Sequence, residues 1–343
     1  MEEQNMSMSR RTFVNALGTV ALGTVTGTAI SPARAADFNW KFGHGFPPSH
    51  PLHVRALQAA ARIKAETKGR VDISVFPNSQ LGGDNDLLSQ VHSGGIEMFS
   101  TGGVIMSTLV PGAALSGIGF AFSDYGTVWR AMDGKLGEFV RNAFQKADLH
   151  ALERIWDNGF RETTTSTRAI VTPADLANLK LRVPVSPLYI SLFKALGAAP
   201  TSINLAEVYT ALQTGVVEGQ ENPLIVTDTA KFYEVQKYCS LTNHIWDGCW
   251  IVVNGDAWQS LPPDLSAIVS RSFNEAAAQQ RADIATLNDA LRDGLIKKGL
   301  KVNQTDPAPF RDMLKKAGFY NDWKSKFGSQ AWAVLEASVG RLT

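Results

Sequence analysis

Strand-sized and helix-sized segments alternate along this chain, and that order constrains its fold more tightly than any other feature. Phe38–Phe42 reads as a strand that ends at Gly43-His44-Gly45. A helical stretch follows from His50 to Thr67, with Leu52, Leu57 and Ile63 among its apolar positions. Val71-Asp72-Ile73-Ser74-Val75-Phe76 alternates with period two, and Pro77 stops it. A second helix is predicted near Asp84–His92, closed by Gly94-Gly95, and a third strand at Ile96–Phe99. This β-α-β-α-β order predicts an α/β fold, a largely parallel sheet with helices on both faces.

The order repeats in the second half. Leu179-Lys180-Leu181-Arg182-Val183 is a strand before Pro184. Ser186-Pro187 opens a helix, serine as the cap and proline at the first helical position. The next helix opens at Asn204 with Glu207 three residues on, and Leu205, Val208, Leu212 and Val216 share one face. A helix ending in Ser93-Gly94-Gly95 is echoed by one ending in Gln213-Thr214-Gly215, about half the chain later, which suggests two similar α/β lobes. Pro262 to Gly299 has few interior breakers, and Ile284, Leu287, Leu291 and Leu295 keep helical spacing. Continuous, it would be on the order of 50 Å long, longer than a lobe is wide. Two helices broken near Gln279–Arg281 are the alternative.

The first 35 residues read as an address. Ser9-Arg10-Arg11-Thr12-Phe13-Val14 matches a twin-arginine export signal, a soft apolar stretch runs from Ala16 to Ile30, and Ala33-Arg34-Ala35 is an A-x-A cleavage pattern. The stretch is diluted by Gly18, Gly23, Gly27 and threonines, which favours cleavage before Ala36 over a membrane anchor. The full chain has 33 Lys+Arg against 32 Asp+Glu; without Arg10, Arg11, Arg34, Glu2 and Glu3 the two counts are equal. That balance gives no support to a nucleic-acid partner, which would show as a basic excess. The frame is a neutral, two-domain protein of the bacterial periplasm.

Enzyme signatures are missing. The chain has no G-x-S-x-G, G-x-x-x-x-G-K-[ST], H-E-x-x-H or C-x-x-C, and Gly117-Ile118-Gly119 lacks the third glycine of a dinucleotide fingerprint. His50-Pro51-Leu52-His53 is a poor metal site because of its proline. Cys239 and Cys249 cannot build a disulfide framework, although one bridge between them stays open.

Arg182 is the leading candidate for ligand contact. It stands at the carboxyl end of its strand, where open α/β sheets bind ligands, beside a helix N-terminus with free N–H groups. Its planar fork matches a carboxylate with two hydrogen bonds. An ion pair inside the fold is the alternative. Arg161, in the strand-like Trp156–Arg161 segment, offers a second cationic contact or a packing role. Glu218-Gly219-Gln220-Glu221-Asn222-Pro223 reads as a polar loop between helices, with Asn222 either an N-cap or a ligand contact. Asn243–Trp250 sets Trp246 and Trp250 beside Asp247, which suits a small-ligand pocket or a tryptophan-packed core between lobes.

Leu181-Arg182-Val183-Pro184, Phe193–Ala198 and the long block Glu207–Pro223 together resemble the DctP-type solute-binding proteins of TRAP (tripartite ATP-independent periplasmic) transporters. Phe76–Gly83 and Lys231–Tyr238 fit the same family, so the resemblance covers the whole mature chain. It implies two lobes joined by a hinge, strands crossing between them, a long helix spanning both, and a solute held in the closing cleft. It places the signature carboxylate-binding arginine on Arg182, a second on Arg161, and further contacts on Asn222, near His44 and near Thr101-Gly102. Keto-acid members use a cation near Asn222 and Asp247, but Asn222 replaces an acidic group of that scheme, so no metal and no cofactor is expected.

The expected organisation is a leader at 1–35, lobe I at 36–158 plus about 248–287, and lobe II at 159–247 plus about 288–343. The expected function is capture of a small organic acid for delivery to a TRAP membrane permease, without catalysis. The site residues are Arg182, Arg161, Asn222, His44, Thr101, Trp246 and Asp247, and the tryptophans point to an aromatic or bulky acid. A periplasmic enzyme acting on a carboxylic acid, or a sensory protein presenting its ligand to a receptor, are the rival functions.

Overall fold

The computed structural model describes residues 36–343, and the leader lies outside them. The alternation read from the sequence is present. Strand β1 (Phe38–His44) leads to α1 (Pro51–Glu66), β2 (Val71–Phe76), α2 (Asp84–Ser93) and β3 (Met98–Gly102). His50 caps α1, its Nδ1 accepting from the Leu52 N–H. The turn α3 (Gly103–Met106) and helices α4 (Tyr125–Met132) and α5 (Lys135–Gln145) precede β4 (Leu149–Ala151) and β5 (Trp156–Thr165). Then come β6 (Lys180–Val183), α6 (Pro187–Ala195), β7 (Ala199–Ser202), α7 (Val208–Gln213), β8 (Gly219–Pro223) and α8 (Leu224–Thr229). The chain continues with β9 (Tyr238–Asn254), α9 (Gly255–Ser260), α10 (Pro263–Lys297), β10 (Lys301–Gln304), α11 (Pro307–Lys316), α12 (Phe319–Phe327) and α13 (Ser329–Val339). None of these helices is long and apolar enough to cross a membrane.

The strands form one continuous sheet in the order β2-β1-β3-β9-β5-β8-β6-β7, with β4 and β10 also against β9. Its wings are parallel, as the β-α-β order requires. Its centre is antiparallel, because β9 runs back between β3 and β5. The 17-residue β9 serves both halves: Cys249–Asn254 pairs with β3 and β4, and Tyr238–Leu241 pairs with β10. Cys239 and Cys249 are both free and buried. Ten residues of strand hold them about 33 Å apart, which removes the disulfide alternative.

Side chains alternate along β9 into two cores. Cys249, Ile251 and Val253 join the helices α1, α7, α8 and α10 on one face. Trp250 and Val252 join α2, α4, α5, α6, α11 and α13 on the other. The two cores thus lie on opposite faces of the central strand.

Helix α10 is continuous over its 35 residues, or about 52 Å. Within the Gln279–Arg281 stretch, where the alternative placed a break, Gln280 and Arg281 instead fasten the helix to the sheet and Gln279 accepts from Arg55 of α1. Buried Gln280 accepts from the Asp157 N–H at 2.9 Å and donates to the Asp157 carbonyl at 2.6 Å. Arg281 donates to the Ile155 carbonyl, pairs with Asp133, and lies 4.0 Å over the Trp129 ring. At its two ends α10 packs on α1 and on α8 and β10, so it spans both lobes. The helix expected from Asn204 is shorter than the pattern suggested: Leu205–Glu207 is a 3-10 turn, and Val216 lies beyond the end of α7 and faces solvent.

Candidate functional site

A small cavity opens where four strands end. β1 runs out into Gly45 and Phe46, β3 ends at Thr101 and Gly102, β6 runs into Pro184, and β8 contributes Asn222. Carboxyl ends of sheet strands gather the free main-chain ends of a fold in one place, which is why such crevices hold ligands. Asp84, at the first position of α2, lines the cavity too, with Asn158, Arg161, Arg182 and Asp247. Its free volume is about 20 Å3, room for one water. A solute of several carbons therefore enters only when the walls part.

The β5–β9 ladder has two irregularities, and the first aims a side chain into this space. The register passes from Asp157 opposite Gly248 to Gly159 opposite Asp247, which leaves Asn158 as an extra residue. A second shift separates Arg161 from Thr163. Bulges of this kind interrupt the strict two-residue alternation and redirect side chains. Gly159 takes up the first with φ +107°, a conformation that disfavours a side chain. Gly102 serves close packing instead, since a Cβ there would sit 2.6 Å from Asp247 Oδ1.

Arg161 is tied into the protein through four of its five N–H groups. Its Nε and Nη2 grip the Glu221 carboxylate at 2.5 and 2.8 Å, and its Nη1 donates to Asp247 Oδ2 at 2.6 Å. Nη2 also reaches the Glu221 carbonyl and Asn222 Oδ1. One Nη1 N–H is left. Burial works to raise the Glu221 pKa, but Arg161 and the hydrogen bond to His244 pull it below its usual value. Asn158 completes the cluster by donating to Asp247 Oδ2 at 2.9 Å.

Arg182 is held differently. It is 2% exposed, and its Nε donates to the Ile203 carbonyl at 2.8 Å. Nη1 is buried with no hydrogen-bond partner among the described residues. Burial lowers the guanidinium pKa to about 10, with neighbouring Arg161 adding to the effect and Glu221 and Asp84 opposing it. The group stays charged at neutral pH while lacking a direct counter-ion. Asp84 is pushed up to about 6, chiefly by burial and also by Asp247, although Arg182 and the Thr101 hydroxyl pull the other way.

Five of the residues singled out in the sequence thus line one cavity: Arg182, Arg161, Asn222, Thr101 and Asp247. His44 and Trp246 do not. His44 Nδ1 accepts from the Phe46 N–H, so its Nε2–H donates to His53 Nδ1 at 3.0 Å. Burial, reinforced by His53 and His50, lowers its pKa to about 3 and keeps it neutral. It shapes the corner that presents Gly45 and Phe46. Trp246 donates its Nε1–H to Asp157 Oδ1 and packs edge-on against Phe122 and Trp129. Trp250 packs against Phe144. Both tryptophans belong to the core, which removes the basis for an aromatic or bulky acid.

Two further expectations change. Glu218–Pro223 is not a loop: Gly219–Pro223 is β8, buried throughout, and the cap of α8 is Pro223 rather than Asn222. Its polar side chains pair inside the protein, Gln220 with Thr164 and Asn222 with Gln220 and Arg161. The N-terminus of α6 forms as predicted, Ser186 Oγ accepting from the Leu188 N–H, but Ser186 and Pro187 line a separate surface cavity. Asp84 was not singled out. Its signal was an acid placed directly after Gly82-Gly83 at a helix start, a position that ordinarily reads as capping.

Residues 42–320 match the family model of the bacterial extracellular solute-binding proteins, family 7 (DctP). An uncharacterized Sinorhizobium fredii protein, y4mM, is 35% identical over 280 residues; these cover 82% of this chain but only 51% of that longer protein. The 2,3-diketo-L-gulonate-binding periplasmic protein YiaO of Escherichia coli is 33% identical over 287 residues, 83% of this chain and 87% of its own length. The crystal structure of a TRAP periplasmic solute binding protein from Sulfurospirillum deleyianum with bound succinate superposes with a TM-score of 0.82 at 29% identity. That match covers 88% of this chain and 99% of the other.

Proposed function

The chain belongs to the DctP family of bacterial extracellular solute-binding proteins, and from that premise we propose that it captures a small organic acid through an Arg182–carboxylate pair and hands it to a TRAP membrane permease. It is a periplasmic solute-binding protein, and its family consists of carriers rather than enzymes. Its relatives bind an acid sugar and succinate, both carboxylates.

The observation that carries the Arg182 assignment is the buried, unpartnered Nη1 beside a cavity at the strand ends. A guanidinium without an acceptor is costly to bury, and a ligand carboxylate supplies the missing acceptor. Charge-assisted hydrogen bonds contribute roughly 1.5–3 kcal/mol each, so two of them provide much of the −8 kcal/mol that a micromolar complex needs. Arg161 orients the site from behind, holding Glu221, Asp247 and Asn222 in register while keeping one N–H for the ligand. Thr101 and Asn222 add polar contacts from the ends of β3 and β8.

Closure follows from the same reading. Lobe I comprises 36–158 and about 248–287, and lobe II comprises 159–247 and about 288–343. Within the last span, α13 packs on α4 and α5 and so returns to the first lobe. The crossing strands β5 and β9 and the strut α10 limit the motion to a hinge. Calorimetric titration of the mature chain with C4–C6 carboxylic acids tests the proposal. Binding that survives Arg182→Ala at full affinity would overturn it.

A further inference from the structure

Taking the Arg182 anchor as given, the charges around the rest of the cavity narrow the ligand further. Among the described residues two cations line the cavity, Arg182 and Arg161, and the second already faces the carboxylates of Glu221 and Asp247. The nearby histidines 44 and 50 are held neutral by burial and supply no positive charge. Beyond Arg182 the walls carry Asp84 and Asp247 as acceptors, with the amides of Asn158 and Asn222 and the Thr101 hydroxyl. Asp247 is engaged through Oδ2 by Arg161 and Asn158, while its Oδ1 lies against Gly102 on the cavity wall. Among the described residues Asp84 makes no ion pair within 4 Å, and Arg182 acts on it through space.

A second ligand carboxylate would meet these two carboxylates in a closed, dry space, where like charges repel by several kcal/mol. Hydroxyl groups would meet them well, because each donates to a carboxylate oxygen and accepts from an asparagine or threonine. An ammonium group fits less well. Asp247 already has its cationic partner, and Asp84 sits within reach of the Arg182 charge and the Thr101 hydroxyl, which leaves it better matched to a hydroxyl than to a further cation.

We propose that the ligand is a hydroxylated monocarboxylate, and that Asp84 and Asp247 reject a second carboxylate at its far end. The bound acid then has one carboxylate on Arg182 and a chain of hydroxyls reaching the end of β3 and the start of α2. Asp84 is the specificity-determining residue of the pair, since Asp247 is also needed to hold Arg161.

The test compares acids that differ only in their terminal carbon. Calorimetric titrations at pH 7.5 would use D-erythronate against meso-tartrate, and galactonate against galactarate, with threonine as the amino-acid arm. In at least one pair the monocarboxylate is expected to bind about thirtyfold or more tightly than its diacid. Asp84→Asn is expected to reduce that ratio by about tenfold, with folding checked by circular dichroism. Diacids bound as well as or better than their partners, or threonine bound best, would overturn the inference. They would leave Arg182 standing as the anchor if Arg182→Ala still abolishes their binding. Galactitol, which has no carboxylate, binding as tightly as galactonate would instead overturn the anchor itself.

Discussion

Arg161 and Arg182 line the same cavity and are equally buried, yet one is enclosed by carboxylates and the other is not. Arg161 has a two-pronged grip on Glu221, a third bond to Asp247, and further acceptors from the Glu221 carbonyl and Asn222. Arg182 has one carbonyl and an unpartnered Nη1. The first satisfies the rule that buried charges are paired, and the second breaks it. Local rules fail where function needs the failure: on the proposed reading the ion-paired guanidinium holds the fold in register, and the other receives the carboxylate of the ligand.

The largest expected effect separates the two on stability. Arg161→Met leaves Glu221 and Asp247 buried without their cation and is expected to cost about 3–5 kcal/mol, read from urea denaturation. An unchanged midpoint would mean that Arg161, too, is a ligand group rather than a fastener. Arg182→Met is expected to do the reverse. Carboxylate affinity falls by at least about 100-fold by calorimetry, while the urea midpoint holds or rises. A fall in stability comparable to that of Arg161→Met would erase the contrast.

Gly102→Ala sharpens the comparison from the Asp247 side. The new Cβ would lie 2.6 Å from Asp247 Oδ1, so the carboxylate must shift, at about 1–3 kcal/mol of overpacking. Ligand affinity is expected to drop about tenfold, measured by the same titration. The smallest effect is one of pH. Glu221, beside Arg161, is held low and stays ionised through mild acid. Asp84, beside Arg182, is pushed up to about 6, above its unfolded value, so its ionised form costs stability above pH 6 and that cost is relieved as pH falls towards 4. Protonation removes one negative charge from the cavity that the anionic ligand must enter. Affinity is therefore expected to rise by up to about tenfold between pH 7.5 and 5.5, and to stay flat in Asp84→Asn. Arg182, Thr101 and Asp247 face the titrating group, and none of them is changed in that variant.

Much of this was legible in the sequence because periodicity and punctuation are local signals. Pro77 ends β2, Ser186-Pro187 starts α6, and Gly94 and Gly215 adopt left-handed turns after α2 and α7. Arg182 was legible because strand, turn and helix signals fix its place at a strand end. What escaped was polarity serving the interior. Gln220, Glu221 and Asn222 look like a loop until Thr164, Arg161 and His244 are brought opposite them by strands far away in the chain. The Gln279–Arg281 triplet left a broken helix open as an alternative for the same reason, since the partners of Gln280 and Arg281, Asp157, Ile155 and Asp133, are more than 120 residues earlier. Trp246 and Trp250 misled in the other direction. A tryptophan beside an acid suits a pocket, but the strand alternation turns these two into the helix-covered face.

If Arg182 takes the ligand's carboxylate, as proposed, its bare Nη1 has a consequence for traffic through the membrane. A carrier that shut comfortably with nothing inside would queue at the permease and block the loaded ones. Because shutting empty would strand a cation in a dry interior, the unloaded molecule would then be biased to stay agape, and docking would be reserved for those carrying freight.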